Sequence, residues 1–410
     1  MNLEQLLDGM GRGARGAAEV LRSAPAELRS AAIMAAARHL RSRSERIIAA
    51  NAEDLASATG MIDRLRLDEQ RVEAMAKGLE EVAQLPDPVG VEMDRWTRPN
   101  GLDIARVRTP IGVIGMIYES RPNVTADAAA ICLRSGNALI LRSGSEALHS
   151  SVAIHEAVAA GIEEAGLPAA CVQIVPVADR EAVGLMLEGL SGAIDLIIPR
   201  GGKSLVERVS RDARVPTLGH LEGLCHTYVH ASAAPEMAVA VVADAKMRRV
   251  SICGATETLR IDREVAPRLL PKIAEALEGC ELRGDPEARS LAPMSAANDQ
   301  DWLTEYLAPV LAVRVVSGVD EAVEHIARYG TGHTEAIIAE DAAAAERFLD
   351  RVDSAIVIWN ASTQFADGGE VGFGAEIGIA TGKLHARGPV GPEQLTTFKY
   401  VVRGSGQVRG

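Results

Sequence analysis

Residues 112–142, GVIGMIYESRPNVTADAAAICLRSGNALILR, decide how this chain is read. GVIGMIY (112–118) is an unbroken apolar run of buried-strand length, the pattern of a strand covered on both faces rather than one. A helical stretch, 125–135, and a second apolar strand, 137–142, follow it. Working outward, helix 145–165, strand 171–177, helix 179–190, strand 193–199 and a helix from 203 continue the alternation. Strands separated by helices imply parallel βαβ units and a doubly wound sheet, so the fold class is α/β.

The hundred residues before this core read as helical. Pro25 stands where a first helical turn tolerates proline, and Ile33, Ala36, Ala37 and Leu40 recur at helical spacing. Arg38, Arg41, Arg43 and Arg46 then form a solvated face, and Asn51 is expected to cap a following helix with Glu53 and Asp54 in its first turn. LDIARVR, from Leu102, alternates like an exposed strand or hairpin. Beyond about residue 248 the pattern is less regular, with strands near 256–261, 310–316, 335–339 and 355–359.

Composition excludes several classes. The 410 residues are 47% hydrophobic and 24% charged, ordinary for globular domains, and the net charge of −13 argues against a chain-wide affinity for nucleic acid. Aromatics, at 3%, are too few for a base-stacking platform. The cysteines at 132, 171, 225, 253 and 280 form no CxxC pair, which supports neither a zinc ribbon nor a disulfide framework and fits a reducing, cytoplasmic setting. MNLEQLLDGMGRGARG does not read as a signal peptide, and no apolar run is long enough to span a bilayer.

Four motifs carry chemistry. In DAKMRRVSICGATETL (244–259) a basic cluster, Lys246, Arg248 and Arg249, runs into Cys253, with Gly254 and Ala255 after it. Positive charge makes a thiol reactive near neutrality, and small residues leave room for a carbonyl and for oxyanion-binding N–H groups; the alternative is a buried, inert cysteine. AIDLIIPRGGKSLVERV (193–209) lacks the first glycine of a P-loop, Ile197 standing there. It leaves a strand, a Gly201-Gly202 turn and a helix start containing Ser204, either a plain turn or a seat for a dinucleotide pyrophosphate. HLEGLCHTYVH (220–230) groups His220, Cys225, His226 and His230, but a strand puts Cys225 and His226 on opposite faces, so no metal site is expected. Asn123 follows Pro122 at the end of a buried strand, as a turn or capping residue or as an amide donor to an oxyanion.

Taken together, these residues resemble the gamma-glutamyl phosphate reductases of the aldehyde dehydrogenase superfamily over nearly the whole chain. The resemblance rests on PIGVIGMIYESRPNVTADAAAICLRSGNALILR, KMRRVSICGATETL, RYGTGHTEAIIAED and FADGGEVGFGAEIGIATGKLHARGPVGPEQLTTFKY. It implies an aldehyde dehydrogenase-like α/β architecture: a doubly wound cofactor domain at 1–98 and 112–247, an α/β catalytic domain at 248–390, and a small oligomerisation element at 99–111 and 391–410. By resemblance Cys253 is the catalytic thiol, Asn123 the oxyanion amide and Glu305 the carboxylate that holds the nicotinamide ribose. Arg142 takes the place of a cofactor-contacting lysine, with Ser143 beside it and Ser145 where NAD-preferring relatives carry glutamate, which implies NADPH. Arg121, Asn360, Ser362 and Thr363 are the expected substrate contacts.

The implied reaction is NADPH-dependent reduction of L-glutamyl 5-phosphate to L-glutamate 5-semialdehyde through a cysteine thioester, the second step of proline biosynthesis. A homo-oligomer, dimer or tetramer, is implied, and a glutamate 5-kinase is a possible partner. The alternatives are a hydrolytic NAD(P)-dependent aldehyde dehydrogenase on the same fold and a non-catalytic member that binds or scaffolds. Hydrolytic members carry a water-activating glutamate in the segment matching LGHLEGLCHTYV. Here His220 takes that place and Glu222 is displaced by two residues, roughly 6.5 Å along a strand, so no hydrolytic base is expected.

Overall fold

Helices open the chain in the computed structural model, which describes residues 2–58 and 62–409: α1 (Leu3–Ser23), α2 (Ala26–Ser42), α3 (Ser44–Ser57), α4 (Ile62–Leu65) and α5 (Glu69–Gln84). Asn2 starts α1 with a capping box through Gln5, and the Asp68 side chain accepts the Arg71 N–H at the start of α5. Ile33, Ala36, Ala37 and Leu40 are buried, as their spacing requires. The arginine face of α2 is not simply solvated. Arg41 forks between Glu73 and Glu80 of α5, and Arg38 pairs with Glu164. Asn51 caps nothing: it lies inside α3, fully buried, where its amide donates to the Leu65 carbonyl and the Ser150 hydroxyl and accepts the Leu67 N–H. A buried amide that satisfies a neighbouring loop outweighs its preference for a helix end.

The chain continues through β1 (Glu92–Thr97), β2 (Asp103–Pro110), β3 (Val113–Tyr118), α6 (Val124–Arg134), β4 (Ala138–Ser143), α7 (Leu148–Glu164), β5 (Val172–Ile174), α8 (Glu181–Leu187), β6 (Leu196–Arg200) and α9 (Lys203–Asp212). Strands β3 to β6 form a parallel sheet in the order β5-β4-β3-β6, and every residue of β3 and β4 is buried, as their unbroken apolar runs require. The order reverses between β3 and β6, so the crevice at their carboxyl ends is where such a sheet takes a ligand.

A second parallel sheet follows: β7 (Cys225–Val229), α10 (Pro235–Met247), β8 (Thr256–Asp262), α11 (Ala266–Ala276), β9 (Glu281–Gly284), α12 (Pro286–Leu291), β10 (Ser295–Ala296), β11 (Val310–Val316), α13 (Val319–Tyr329), β12 (Thr334–Ile338), α14 (Ala342–Arg351) and β13 (Ile356–Trp359). Its order is β10-β9-β11-β8-β7-β12-β13. Val229, Leu259, Ile261, Val313 and Val315 pack on one face with α10 and α11; Tyr228, Val316 and Ile337 pack on the other with α13 and α14. The pair β14 (Ile379–Ala380) and β15 (Gly388–Pro389) follows, and β16 (Thr396–Arg403) adds antiparallel to β2, giving a sheet β1-β2-β16.

The chain divides into two compact units, Met1–Gly219 with Gly372–Gly378 and Val390–Gly410, and His220–Val371 with Ile379–Pro389. The break falls at His220, not at 248. Strand β7 hydrogen-bonds β8 and β12, so β7 and α10 belong to the second sheet although the strand–helix rhythm runs on across the break. The hairpin also begins earlier than expected, at Glu92 rather than residue 99, and it and β16 lie in the first unit. Among the described residues no helix is long and apolar enough to cross a membrane.

Candidate active site

The second unit gathers its reactive groups at the amino-terminal ends of three adjacent strands, β8, β7 and β12. Cys253 lies in the turn that leads into β8, Cys225 opens β7, and His333 immediately precedes β12. The segment 218–224 is irregular, so the strand-like offset expected for Glu222 does not apply; β7 begins only at Cys225. Gly223 in that segment passes directly against the thiol turn. A Cβ there would stand 2.3 Å from the Cys253 carbonyl oxygen and 2.7 Å from its Cβ, so glycine is required for close approach rather than for an unusual φ. Cys225 supports the turn from below, donating its S–H to the Cys253 carbonyl at 3.0 Å. As expected for a strand, its neighbour His226 faces elsewhere, with Nδ1 2.8 Å from Glu335.

Two histidines complete the surroundings of the thiol. One ligating atom each from His220, Cys253 and His333 lie within 4.8 Å of one another, and the two rings stand edge to face with centroids 4.8 Å apart. Burial works to raise the Cys253 thiol, but His333 and His220 together outweigh it and hold the thiol well below the usual cysteine range. The other four cysteines are pushed up by burial, Cys280 to about 11 and Cys171 to about 12. Cys132 and Cys171 are core residues, as expected.

The basic cluster does not do this work. Lys246 is fully buried on α10, donates to Glu257 at 2.5 Å and sits over the Tyr306 ring. Burial raises its partner Glu257 to about 7. Arg248 points its guanidinium at the Gln364 side-chain oxygen. A helix residue that faces its own sheet is unavailable to the turn beyond it, and run-of-charge reasoning missed this. His333, inside RYGTGHTEAII, was also missed, although a histidine directly before a strand that neighbours the thiol strand is the signal that could have found it.

Glu305 accepts the Gly223 N–H at 3.0 Å, and burial together with the nearby thiol raises its carboxyl. The loop after β13 uses its side chains internally. Asn360 accepts from the Ala339 N–H and donates to the Ala339 carbonyl, Ser362 accepts the Gln364 N–H, and buried Thr363 pairs with Thr256. These side chains fix the loop; the charged groups it borders are Arg248, Asp244 and Glu370, in a cleft of about 360 Å³ with Asn360, Ser362 and Gln364.

In the first unit, the crevice between β3 and β6 holds the other expected residues. The Glu119 carboxylate accepts the Gly202 N–H at 3.2 Å, so an anionic group already sits at the α9 amino terminus beside exposed Gly201 and Ser204. Arg142 is buried on β4 and donates to the carbonyls of Ala178 and Asp179, while burial lowers its guanidinium. Ser143 is buried with no hydrogen-bond partner for its hydroxyl. Ser145 is exposed, and the adjacent Glu146 is drawn back onto the Ser120 N–H at 2.7 Å. Arg121 lies in the turn after β3. Asn123, at the start of α6, donates through its amide to Asp127 at 2.9 Å, and burial pushes the Asp127 carboxyl up to about 6.

A doubly wound cofactor-type sheet in one unit and a cysteine thiol lowered by two histidines in the other define an oxidoreductase of the aldehyde dehydrogenase class. The model of the aldehyde dehydrogenase family matches residues 5–308. The gamma-glutamyl phosphate reductase of Caulobacter vibrioides is 65% identical over 410 residues, covering 98% of this chain and 99% of that relative. The crystal structure of the gamma-glutamyl phosphate reductase of Thermotoga maritima matches with a TM-score of 0.96 at 43% identity, covering 98% of this chain and 100% of that one. An acetylating aldehyde dehydrogenase from Geobacillus thermoglucosidasius shares the fold, with a TM-score of 0.74 at 18% identity over 99% of this chain and 98% of that one. The chain belongs to the gamma-glutamyl phosphate reductases of the aldehyde dehydrogenase family.

Proposed function

We propose that this protein reduces L-glutamyl 5-phosphate to L-glutamate 5-semialdehyde with release of phosphate, using NADPH, as the second, cytoplasmic step of proline biosynthesis. The observation that carries the reading is Cys253 set within 4.8 Å of both His220 and His333, whose imidazoles lower its thiol well below the usual cysteine range. A thiolate attacks an acyl phosphate without a base, because phosphate leaves with the C–O electron pair and needs little protonation. The Cys253 sulfur bonds to the acyl carbon, the carbon–phosphate oxygen bond breaks, and a thioester remains on the protein. A nicotinamide cofactor, when bound, would supply hydride for reduction to the aldehyde level, and Cys253 would be released as thiolate. His333 and His220 stabilise that thiolate in both half-reactions. Asn123 is the amide we assign to the oxyanion: its NH2 gives one hydrogen to Asp127 and has a second to donate.

The crevice fits the cofactor. The α9 amino terminus accepts a carboxylate, and the Ser143 hydroxyl lacks a partner, so both favour a ligand with anionic and hydroxyl groups. Arg142, Ser143, Ser145, Gly201, Gly202 and Ser204 would border it, and Glu305 would hold the nicotinamide ribose. Ser145 in place of glutamate and Glu146 tied to Ser120 remove the repulsion that a 2′-phosphate would meet. Ser145→Glu is therefore expected to raise KM for NADPH more than for NADH; equal use of both cofactors by the unaltered enzyme would refute this. The cleft carrying Arg248 and Asp244 offers opposite charges for the carboxylate and ammonium of the glutamyl end. Arg121 remains the candidate at the phosphate end, and the 360–363 loop contributes as a scaffold.

The test is the reverse reaction: glutamate semialdehyde, NADP and inorganic phosphate, followed by NADPH absorbance. NADPH formation should require phosphate, which regenerates the acyl phosphate. Fast phosphate-independent release of glutamate would replace this reading with a hydrolytic aldehyde dehydrogenase.

A further inference from the structure

His220, Cys253 and His333 are also a set of metal-ligating atoms, drawn from three segments far apart in sequence. Both rings are fixed from behind. His220 Nδ1 donates to the Ile379 carbonyl at 2.7 Å; a carbonyl only accepts, so Nδ1 carries a proton and Nε2 is the nitrogen that can exchange its proton for a metal. His333 is fully buried, with Nδ1 2.9 Å from Thr334 Oγ1 and 3.5 Å from Cys225 Sγ, and its Nε2 has no hydrogen-bond partner. A histidine held through its far nitrogen is oriented to bind metal through the near one, the metal displacing any proton there. Cys225 and Thr334 thus support His333, as the Ile379 carbonyl supports His220.

One thiolate and two neutral imidazoles suit a borderline-soft cation that prefers four-coordinate geometry; magnesium and calcium take oxygen ligands instead. Zinc binds sulfur at about 2.3 Å and nitrogen at about 2.0–2.1 Å, which puts tetrahedral ligand atoms roughly 3.3–3.6 Å apart. The three ligating atoms already lie within 4.8 Å of one another, so at most about 1.5 Å of closure separates them from that spacing. Local spacing in HLEGLCHTYVH pointed away from metal because the ligands are not local.

We propose that His220, Cys253 and His333 form a three-ligand site for Zn²⁺, with its fourth position open to water, and that occupation of this site reversibly silences the nucleophile. The sulfur lone pair that attacks the acyl carbon is the one the metal takes, so free zinc and acyl substrate compete. Metal binding itself does not depend on the proposed substrate; only the loss of turnover does.

Cobalt(II) titration of the full-length, chelator-treated protein reads the ligand set directly. One equivalent should produce a thiolate-to-cobalt charge-transfer band in the near ultraviolet and visible bands of four-coordinate intensity, both displaced by zinc. Cys253→Ser should remove the charge-transfer band. His220→Asn and His333→Gln should each weaken binding by at least the 10–100-fold, roughly, that loss of a supporting shell costs. Stoichiometric zinc should protect Cys253 from iodoacetamide and stop the reverse reaction, and EDTA should restore both. A charge-transfer band that survives in Cys253→Ser, unchanged affinity in both histidine variants with native circular dichroism, or no band in the folded parent protein would overturn the site. Cobalt bands in a metal-free enzyme that fails the reverse assay would uphold the site and overturn only the proposed reaction.

Discussion

A thiol lowered by two imidazoles makes a prediction that involves no substrate. The rate of Cys253 alkylation by neutral iodoacetamide tracks its thiolate fraction, so the half-point should lie well below the ordinary cysteine value of about 8.5. The imidazoles favour the charged form; removing one leaves burial less opposed, so His333→Gln should move the half-point up. Wherever the half-point lies above the working pH, raising it by one further pH unit costs about tenfold in thiolate. Coincident profiles for parent and variant would show that His333 does not set the thiol. Cys253→Ala should abolish turnover and keep cofactor binding, while Cys132→Ala should keep turnover. At this scale the nucleophile was legible because small residues and a strand follow it, but its activation was not. Lys246 is adjacent in sequence yet buried against Glu257, whereas His333, eighty positions on, is adjacent in space.

At the scale of elements, the two sheets use opposite edges. The first unit offers its ligand crevice at the carboxyl ends of β3 and β6, where reversal of strand order opens a parallel sheet. The second places its thiol at the amino ends of β8, β7 and β12, so the turns entering those strands must pack closely. Gly223 is where that packing is tightest. Gly223→Ala puts a methyl 2.3 Å from the Cys253 carbonyl oxygen, a backbone atom that a rotamer change cannot move. Overpacking of this kind costs about 1–3 kcal/mol, and the forced shift displaces the nucleophile. Thermal unfolding should therefore move down and activity should fall by more than stability alone explains. A variant with parent-like melting and turnover would mean that the turn is looser than described. The elements themselves were legible: unbroken apolar runs and helical spacing place β3 to β6, β8 and β11 within a few residues. Membership was not, because the rhythm around β7 is the same on either side of His220, and only hydrogen bonding to β8 and β12 assigns it.

For the whole molecule, the sheet β1-β2-β16 carries the expectation of a homo-oligomer. Strand β16 lies at its edge, and Phe398, Tyr400 and Val402 alternate along one face of it, 43%, 58% and 54% exposed. Trp96 meets Tyr400 edge to face, and Arg106 lies over Phe398, which extends the aromatic surface across the sheet. An edge strand with open backbone groups and an apolar face is a liability in a monomer and a template for a second copy. Alternation in TTFKYVV was visible in the sequence; its place at the sheet edge was not, since that depends on pairing with β2 across almost three hundred residues. The full-length protein should sediment as a dimer or larger. Phe398→Glu combined with Val402→Lys puts charge on the apolar face without touching the buried core of the first unit. The double variant should sediment as a monomer with its circular dichroism retained. A parent protein that is monomeric at micromolar concentration, or a double variant that keeps the parent's mass, would remove β16 from the interface.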